Sequence, residues 1–431
     1  IRIADPLAEV GVTGFELAYH GLPDRKIQEA IAAMYLAACP GLAWTAPHCK
    51  RRKRKPAKAG RLKVGFVSAL LRRNHTIGKL NQGILENLSR RRFEVVLFRP
   101  RPLAKERDEM LDALADRAVD LPPTLEAARQ AVAAEALDVI YYPEIGMWPN
   151  TYFLAFARLA PVQVTTWGHP DTTGVPNVDY FLSPAAAEPA DADGHYSERL
   201  VRFRDLITCY RRPAPPADPP DRQALGLPAD GRLYVCPQTL FKFHPSFDPV
   251  LGDILGRDPA GIVVLIGPPA GSQQQALLHA RFRRAFPEAA DRVVFLPPMP
   301  FEKYLGLLML ADAVLDLPTF SGGNSSLEAF AMGVPVVTWP GDFMRGRVTL
   351  ACYRQMGIDD LVAGDAEEYV GLALRLAGDA DFRAAVRAKI QANADRLFDN
   401  TGFVRELEDF LEAAADARRR GEPPIRWPGP G

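Results

Sequence analysis

The stretch from Asp316 to Ala329 holds the residues best suited to binding an anion; it reads D-L-P-T-F-S-G-G-N-S-S-L-E-A. It leaves an apolar strand pattern and enters a helical one. Gly322 and Gly323 let the backbone approach a ligand closely. Asn324 or Ser325 can cap the helix. The free amides of a first helical turn favour a phosphate, so the stretch predicts a phosphate-binding loop. An ordinary capped helix is the alternative.

Two more side chains of this stretch extend the predicted phosphate site towards a nucleotide. Ser326 adds a hydroxyl to the first helical turn. Glu328 lies about one turn further along, where a carboxylate can accept hydrogen bonds from ribose hydroxyls, as the acidic residue does in dinucleotide sites.

Three other loops follow predicted strands in the same half of the chain. Gln238 and Lys242 lie in the first of them, and Lys242 is a cation that could neutralise a pyrophosphate. Its aromatic neighbours indicate an apolar setting, which strengthens a charge contact. Met299 lies in a Pro-rich loop whose backbone groups could meet a base edge, and Gly341 and Asp342 follow the next strand. With the phosphate loop, these features suit one nucleotide.

The first half of the chain supplies candidates for proton transfer. His75 lies at a predicted helix start, and His169 and Asp171 share a loop bounded by glycine and proline. Histidine is the side chain best suited to moving a proton near neutral pH. All three are candidate bases, with a structural hydrogen bond as the alternative for each histidine. Glu144, which follows another strand, is a weaker candidate.

The elements that position these loops are short apolar strands alternating with helices, a pattern typical of parallel sheets covered by helices. A stretch rich in Pro, Ala and Asp at 211–230 divides them into two halves. The strands predicted in the first half are Leu62–Val67, Phe93–Phe98, Val139–Tyr142, Val162–Thr166 and Tyr180–Leu182. Those in the second half are Tyr234–Cys236, Ile262–Ile266, Val293–Leu296, Ala313–Leu317 and Val336–Thr338.

We therefore predict an α/β fold of two Rossmann-like, doubly wound domains facing a cleft, with an N-terminal helical cap. Residues 1–58 form the cap and a basic linker, 59–212 the first domain, 213–395 the nucleotide domain, and 396–431 a C-terminal helix and tail. The helix predicted at Val404–Arg419 places Leu407, Phe410 and Leu411 on one face. The basic run Lys50–Lys55 favours a solvated linker, with steering of an anionic acceptor as the alternative.

Composition excludes several classes of protein. The 431 residues carry 52 Lys+Arg and 52 Asp+Glu, which argues against a nucleic-acid binder. No apolar run is long enough for a membrane helix, and no signal peptide is recognised. The five cysteines are scattered, so neither a disulfide framework nor a zinc site is expected. A reducing, cytoplasmic location is the simplest interpretation.

Taken in order, these motifs resemble the protein O-GlcNAc transferase family, including a bacterial branch with soluble protein N-glucosyltransferases. The resemblance runs from about Arg61 to about Leu397. It implies a GT-B fold and an inverting, metal-independent transfer of GlcNAc or glucose from a UDP-sugar to Ser/Thr or Asn of a protein. Flagellin or adhesin acceptors are implied by the bacterial branch alone. The segments that carry the resemblance are Val64–Ser68 through His75, Arg158–Gln163 through Gly168–Pro170, Thr172 and Thr173, Lys242, and 316–341.

The resemblance also implies roles for single residues. A lysine at the position of Lys242 contacts the donor phosphates, the loop matching Gly323–Ser326 binds the pyrophosphate, and the acid matching Glu328 binds ribose. A histidine matching His75 lies near the acceptor and the sugar. Because no metal is expected, Lys242 and the helix start must meet the charge of the leaving group.

Three alternatives remain open at this point. One is a catalytically degenerate GT-B protein that acts as a binding scaffold. Another is a metal-dependent glycosyltransferase, which needs an Asp-x-Asp motif; the pattern occurs at Asp191–Asp193 and Asp379–Asp381, both in Ala-rich stretches. The third, a sugar-nucleotide epimerase, finds no support in the acceptor-side motifs.

Overall fold

The computed structural model describes residues 1–50, 60–100, 108–268 and 272–428. The chain forms two compact units. Unit 1 comprises Ile1–Ala18, Leu22–Arg211 and Asp399–Gly431, and unit 2 comprises Tyr19–Gly21 and Arg212–Phe398. The basic run falls, apart from Lys50, outside the described residues, so its prediction as a linker stays a prediction.

Unit 1 contains a parallel sheet of seven strands with helices around it. Its central strands are buried along their whole length, as expected where helices cover both faces. The strands are β1 (Leu62–Val67), β2 (Phe93–Pro100), β3 (Arg117–Leu121), β4 (Val139–Tyr142), β5 (Val162–Thr166), β6 (Tyr180–Pro184) and β7 (Arg199–Phe203). The helices are α1 (Pro6–Glu9), α2 (Arg25–Ala38), α3 (Thr76–Asn87), α4 (Glu109–Asp112), α5 (Leu125–Ala134) and α6 (Pro149–Ala155), joined by the C-terminal helix described below.

The strand order of this sheet, β3-β2-β1-β4-β5-β6-β7, defines where a ligand is expected. The chain runs outwards from β1 to β3 on one side and from β4 to β7 on the other. The order therefore reverses between β1 and β4, and ligands of such sheets bind outside the carboxyl ends of the strands at that reversal.

Unit 2 repeats the design with five parallel strands in the order β10-β9-β8-β11-β12, so its reversal lies between β8 and β11. The strands are β8 (Arg232–Cys236), β9 (Gly261–Ile266), β10 (Val293–Leu296), β11 (Ala313–Leu315) and β12 (Val336–Val337). The helices are α7 (Asp248–Arg257), α8 (Gln273–Ala285), α9 (Phe301–Leu310), α10 (Asn324–Ala331), α11 (Val348–Met356), α12 (Ala366–Gly378) and α13 (Ala380–Asn393).

The two ends of the chain pack into unit 1 and do not stand apart, which differs from the predicted boundaries. On α2, the ring of Tyr35 lies against those of Tyr152 and Phe153 in the core. The C-terminal helix, α14 (Thr401–Arg420), buries the predicted apolar face, and its Phe410 packs against Tyr180. The buried carboxylate of Glu408 also accepts a hydrogen bond from the Ser89 amide of unit 1 at 2.6 Å. Contacts between residues far apart in the sequence thus make both terminal segments part of unit 1.

The predicted α/β fold with two doubly wound sheets is confirmed, and every predicted strand is present. The sequence patterns did not predict β3 and β7. Both are edge strands with a single neighbour, and both carry charged residues, so neither shows an apolar run. No helix within the described ranges is both long and apolar enough to cross a membrane.

Candidate functional site

The loop between β11 and α10, at the strand-order reversal of unit 2, is organised by the buried carboxyl group of Asp316. One of its oxygens accepts a hydrogen bond from the Gly322 amide at 2.7 Å. The other accepts hydrogen bonds from the hydroxyls of Ser321 at 2.7 Å and Thr338 at 2.8 Å. Burial raises the pKa of Asp316, and these hydrogen bonds oppose the rise. Three hydrogen bonds to one carboxyl group thus hold this loop against the ends of β11 and β12.

Close packing explains the first glycine of this loop. A Cβ on Gly322 would collide with the hydroxyls of Ser325 and Ser326, and would lie 2.9 Å from Nε2 of Gln238. Ser326 is itself buried, with its hydroxyl 2.7 Å from that of Thr349 on α11. A side chain at position 322 would therefore require these hydroxyls and the Gln238 amide to move.

Helix α10 begins differently from the prediction. Gly323 is the N-cap and supplies no side-chain cap, and Asn324 is already the first helical residue. The predicted capping by Asn324 or Ser325 is therefore wrong, because the tight turn at Gly322 starts the helix one residue earlier. Gly323, Asn324 and Ser325 are partly exposed, so the helix start presents its amides where an anion can reach them.

Lys242 and Gln238, which follow β8, connect directly to this helix start. The Lys242 ammonium donates a hydrogen bond to Oε1 of Gln238 at 3.0 Å. The other end of that amide, Nε2, donates to the Ser325 hydroxyl at 2.7 Å. Residues separated by 87 positions are thus joined across the strand-order reversal into one polar chain. This chain places a cation beside the first turn of α10.

The surroundings of Lys242 are aromatic. Its Nζ lies 4.4 Å from the ring centroid of Phe320, a cation–π distance. The centroid of the Tyr19 ring lies 4.7 Å from that of Phe320 and 4.8 Å from that of Phe241, so the three rings form one aromatic cluster beside the lysine. Burial lowers the pKa of Lys242 to about 8, while Asp316 acts in the opposite direction. A bound anion would favour the charged form further.

The remaining residues predicted to bind the nucleotide follow other strands of unit 2 or lie within α10. They differ in their distance from the strand-order reversal between β8 and β11. Glu328 is 5% exposed in α10, within reach of the helix start. Gly341 follows β12 and is pressed against the Pro318 carbonyl of the phosphate loop. Its neighbour Asp342 is exposed. Met299 follows β10, two strands from β8, and is partly exposed.

In unit 1, His75 is the N-cap of α3, as predicted from its position. Its Nδ1 accepts a hydrogen bond from the Ile77 amide at 3.2 Å. A ring nitrogen that accepts an N–H bond carries no proton, so the neutral ring is protonated at Nε2. Burial, helped by Arg72, lowers the pKa of His75 to about 4. At neutral pH this side chain is suited to donate a hydrogen bond from Nε2, more than to remove a proton.

His169 and Asp171 both lie in the loop after β5, and both are buried. The His169 ring lies 5.1 Å from that of Phe15 and against Gly146, where φ is +108°. An added Cβ at that glycine would lie 2.8 Å from the imidazole. Asp171 accepts a hydrogen bond from Nε2 of Gln28 on α2 at 3.3 Å. These contacts favour a structural role for both side chains.

Sequence reasoning missed three contributors to the site. Asp316 stood within the predicted phosphate loop but received no role. Thr349 and Tyr19 gave no signal, because each meets the loop only through folding. Glu144 was only a weak candidate in the sequence, and in unit 1 its carboxyl group is fully buried.

Two solved structures with a similar fold are informative. A mutant O-GlcNAc transferase of Thermobaculum terrenum superposes with a TM-score of 0.77 at 29% identity, covering 94% of this chain and 76% of that chain. Anabaena HepE in complex with UDP and glucose has a TM-score of 0.56 at 16% identity, covering 82% of this chain and all of that one. The second likeness concerns the fold alone, and together they confirm the predicted GT-B architecture.

Curated relatives agree with the first of these structures. A probable UDP-N-acetylglucosamine–peptide N-acetylglucosaminyltransferase, SPINDLY of Solanum lycopersicum, is 30% identical over 264 residues, covering 59% of this chain. The SEC protein of Arabidopsis thaliana, which bears the same description, is 27% identical over 258 residues, covering 58% of this chain. The matched region spans only 28% and 26% of these two relatives.

Residues 24–207 and 220–407 match the family described as Glycosyl transferase family 41. The matched ranges include both strand-order reversals, the phosphate loop and the loop of Lys242. The predicted resemblance to protein O-GlcNAc transferases is thereby confirmed: the chain belongs to glycosyl transferase family 41.

Proposed function

We propose that this chain transfers a sugar from a UDP-sugar to a protein side chain, with inversion at the anomeric carbon and without a metal ion. The observation that carries the proposal is the polar chain from Lys242 through Gln238 to Ser325 at the start of α10. It combines a cation, helix amides and a glycine turn in one place. That combination suits a diphosphate.

The reaction is a direct displacement. The acceptor oxygen of Ser or Thr, or the nitrogen of an Asn amide, forms a bond to the anomeric carbon. The bond from that carbon to the phosphate oxygen breaks, and UDP leaves with the electron pair. Lys242 and the amides of α10 meet the charge that grows on the leaving group, and such preorganised stabilisation is usually the largest catalytic contribution.

The proton of the acceptor needs a destination. His75 is poorly suited because its Nδ1 accepts the Ile77 amide and its pKa is lowered. His169 and Asp171 are buried in structural contacts. We therefore favour the departing diphosphate as the proton acceptor, with His75 donating a hydrogen bond to the sugar or the acceptor.

Metal independence is supported by how the two Asp-x-Asp sequences are used. Asp193 pairs with Arg202 at 3.1 Å. Asp379 caps α13 by accepting a hydrogen bond from the Phe382 amide at 2.9 Å. Each motif thus has at least one carboxylate committed to an arginine or a helix end, which leaves the charge on the diphosphate to Lys242 and α10.

The donor and acceptor classes follow from the relatives. SPINDLY and SEC carry descriptions that name UDP-N-acetylglucosamine and a peptide, so UDP-GlcNAc is the first donor to test and UDP-glucose the second. A peptide with Ser, Thr and Asn side chains is the first acceptor, and bacterial flagellin or adhesin sequences are suitable choices.

A donor screen in excess EDTA tests the proposal. UDP-GlcNAc, UDP-glucose, UDP-galactose and GDP-fucose are compared by thermal stabilisation, by slow hydrolysis and by transfer to peptide. Stabilisation and UDP release with one UDP-sugar, together with glycosylated peptide, are expected. Activity that EDTA abolishes would contradict metal independence. Nucleotide binding without consumption of any donor would favour a binding scaffold instead.

A further inference from the structure

A buried carboxyl group lies at the strand-order reversal of unit 1. Glu144 follows β4, the strand that pairs with β1 at the reversal, and its side chain is fully buried. The Thr151 hydroxyl of α6 lies 3.3 Å from Oε1. Oε2 is buried and makes no hydrogen bond of ordinary geometry within the described part of the chain. Ligands of doubly wound sheets bind at such a reversal. The Glu144 carboxyl group, however, is buried in the interior of unit 1.

Gly168 packs between Glu144 and the start of α3. A Cβ on Gly168, which follows β5, would lie 3.1 Å from the Glu144 Cβ and 2.8 Å from Cδ1 of Ile77. Gly168 directly precedes His169. Ile77 is the residue whose amide binds Nδ1 of His75. Gly168 thus links the segment of Glu144 to both histidine-bearing segments.

The surroundings of this carboxyl favour its neutral form. Burial raises the pKa of Glu144 to about 8, and the hydroxyls of Ser68 and Thr151 lower it only in part. Ionisation would leave a charge among hydroxyls and apolar groups, which is costly. The titratable or charged side chains on the neighbouring elements and loops are Lys63 on β1, Arg72, Arg73 and His75 before α3, Lys79 and Glu86 on α3, Tyr141 and Tyr142 on β4, Tyr152 on α6, and His169 and Asp171 after β5.

We propose that Glu144 is a positioning residue that holds the ends of β1, β4 and β5 together as a neutral carboxylic acid, and so places His75 and His169. Its effect on turnover rests on the proposed function. Its effect on folding does not, which allows the two ideas to be tested separately.

The first experiment follows stability against pH in the full chain. A group whose pKa is higher in the folded than in the unfolded protein weakens folding as pH rises between the two values. For Glu144 these are about 8 and the ordinary 4.5. The melting temperature of Glu144→Gln minus that of the wild type should therefore increase from about pH 5 to about pH 8 and then level off. A difference that does not change with pH would overturn the proposal.

Thr151→Val is the matched control for this experiment. Removing the hydroxyl removes a contact that lowers the pKa of Glu144. The pH at which the difference between the Gln and Glu forms levels off should therefore move upwards in the Thr151→Val background. An unmoved value would show that another group titrates, and would contradict the assignment.

The second experiment measures kcat against pH at saturating donor. Lys242 also has a pKa of about 8, but a bound diphosphate raises it, and Lys242 is present in both proteins. The ratio of kcat in Glu144→Gln to that of the wild type should rise as the pH passes through about 8, because only the wild type acquires a buried charge there. A constant ratio would overturn the positioning role.

A third variant separates packing from titration. Glu144→Leu fills much of the space but makes no hydrogen bond to Thr151, so its kcat should be lowered at every pH. One outcome is that neither the wild type nor the variants turn over a donor while the difference in melting temperature still depends on pH. That result would contradict the proposed function but would support the assignment of Glu144 as a buried neutral acid.

Discussion

At the scale of single residues, the proposed chemistry of this chain is concentrated in Lys242. Its ammonium is held by Gln238 and by the face of Phe320, close to the start of α10. Burial lowers its pKa to about 8, so it is mostly charged at neutral pH but poised to gain from an anion. Our proposal assigns to this lysine the recognition of the donor diphosphate.

Replacing Lys242 should therefore cause a large loss of turnover. Lys242→Ala should lower kcat by about 100- to 1,000-fold, because a single preorganised contact to a developing charge has that effect. Steady-state kinetics with the preferred UDP-sugar checks it. Lys303→Ala, on the exposed side of α9, is the matched control. Wild-type turnover by Lys242→Ala would remove this lysine from the mechanism.

At the scale of elements, the site depends on two loops that follow adjacent strands. In the loop after β11, the Gly322 amide donates a hydrogen bond to the Asp316 carboxyl group. Gln238, in the loop after β8, donates a hydrogen bond to Ser325 just beyond this turn. Neither loop holds the polar chain alone. The pairing of β8 with β11 brings the two loops together at the carboxyl end of the sheet.

The turn itself can be tested with one methyl group. Gly322→Ala should weaken donor binding by at least about tenfold and lower the melting temperature, since its Cβ would overlap two hydroxyls and crowd Gln238. Gly371→Ala in α12 is the matched control, because its Cβ would meet nothing within 4 Å, and alanine favours a helix. Isothermal titration with UDP and thermal melting check both. Equal affinities in the two variants would show that the turn does not form the site.

At the scale of the whole molecule, the predicted site residues are divided between two units. Every predicted nucleotide residue lies in unit 2, and His75, His169 and Asp171 lie in unit 1. Unit 1 also gathers both terminal segments of the chain, except for Tyr19–Gly21, which belong to unit 2. Each unit has its own parallel sheet and its own strand-order reversal.

This division predicts where UDP acts. At about a hundredfold excess over its dissociation constant, UDP should stabilise the structure it binds by about 2.7 kcal/mol. Amide hydrogen exchange should slow in the loops 236–243 and 316–329 of unit 2, because opening them would require release of the ligand. Unchanged exchange in both loops at saturating UDP would place the nucleotide elsewhere.

The sequence by itself determined the α/β class, ten of the twelve strands in the described residues and the glycine-containing turn between β11 and α10. These follow from local patterns: apolar runs, helical periodicity and glycine next to a helix start. The resemblance carried by the loops also identified the family. Lys242 and Gln238 were recognised because they follow a strand, and strand ends are where such folds bind ligands.

Only the tertiary structure decided how these pieces meet. The contact between Gln238 and Ser325, the support of the loop by Asp316 and the ring of Tyr19 beside Phe320 all depend on the folded chain. The edge strands and the residues against which α14 packs were equally hidden. Such contacts depend on strand order and on burial, and burial is also what raises the pKa of Glu144. Local sequence patterns determine elements, whereas the neighbours that give a side chain its chemistry are set by folding.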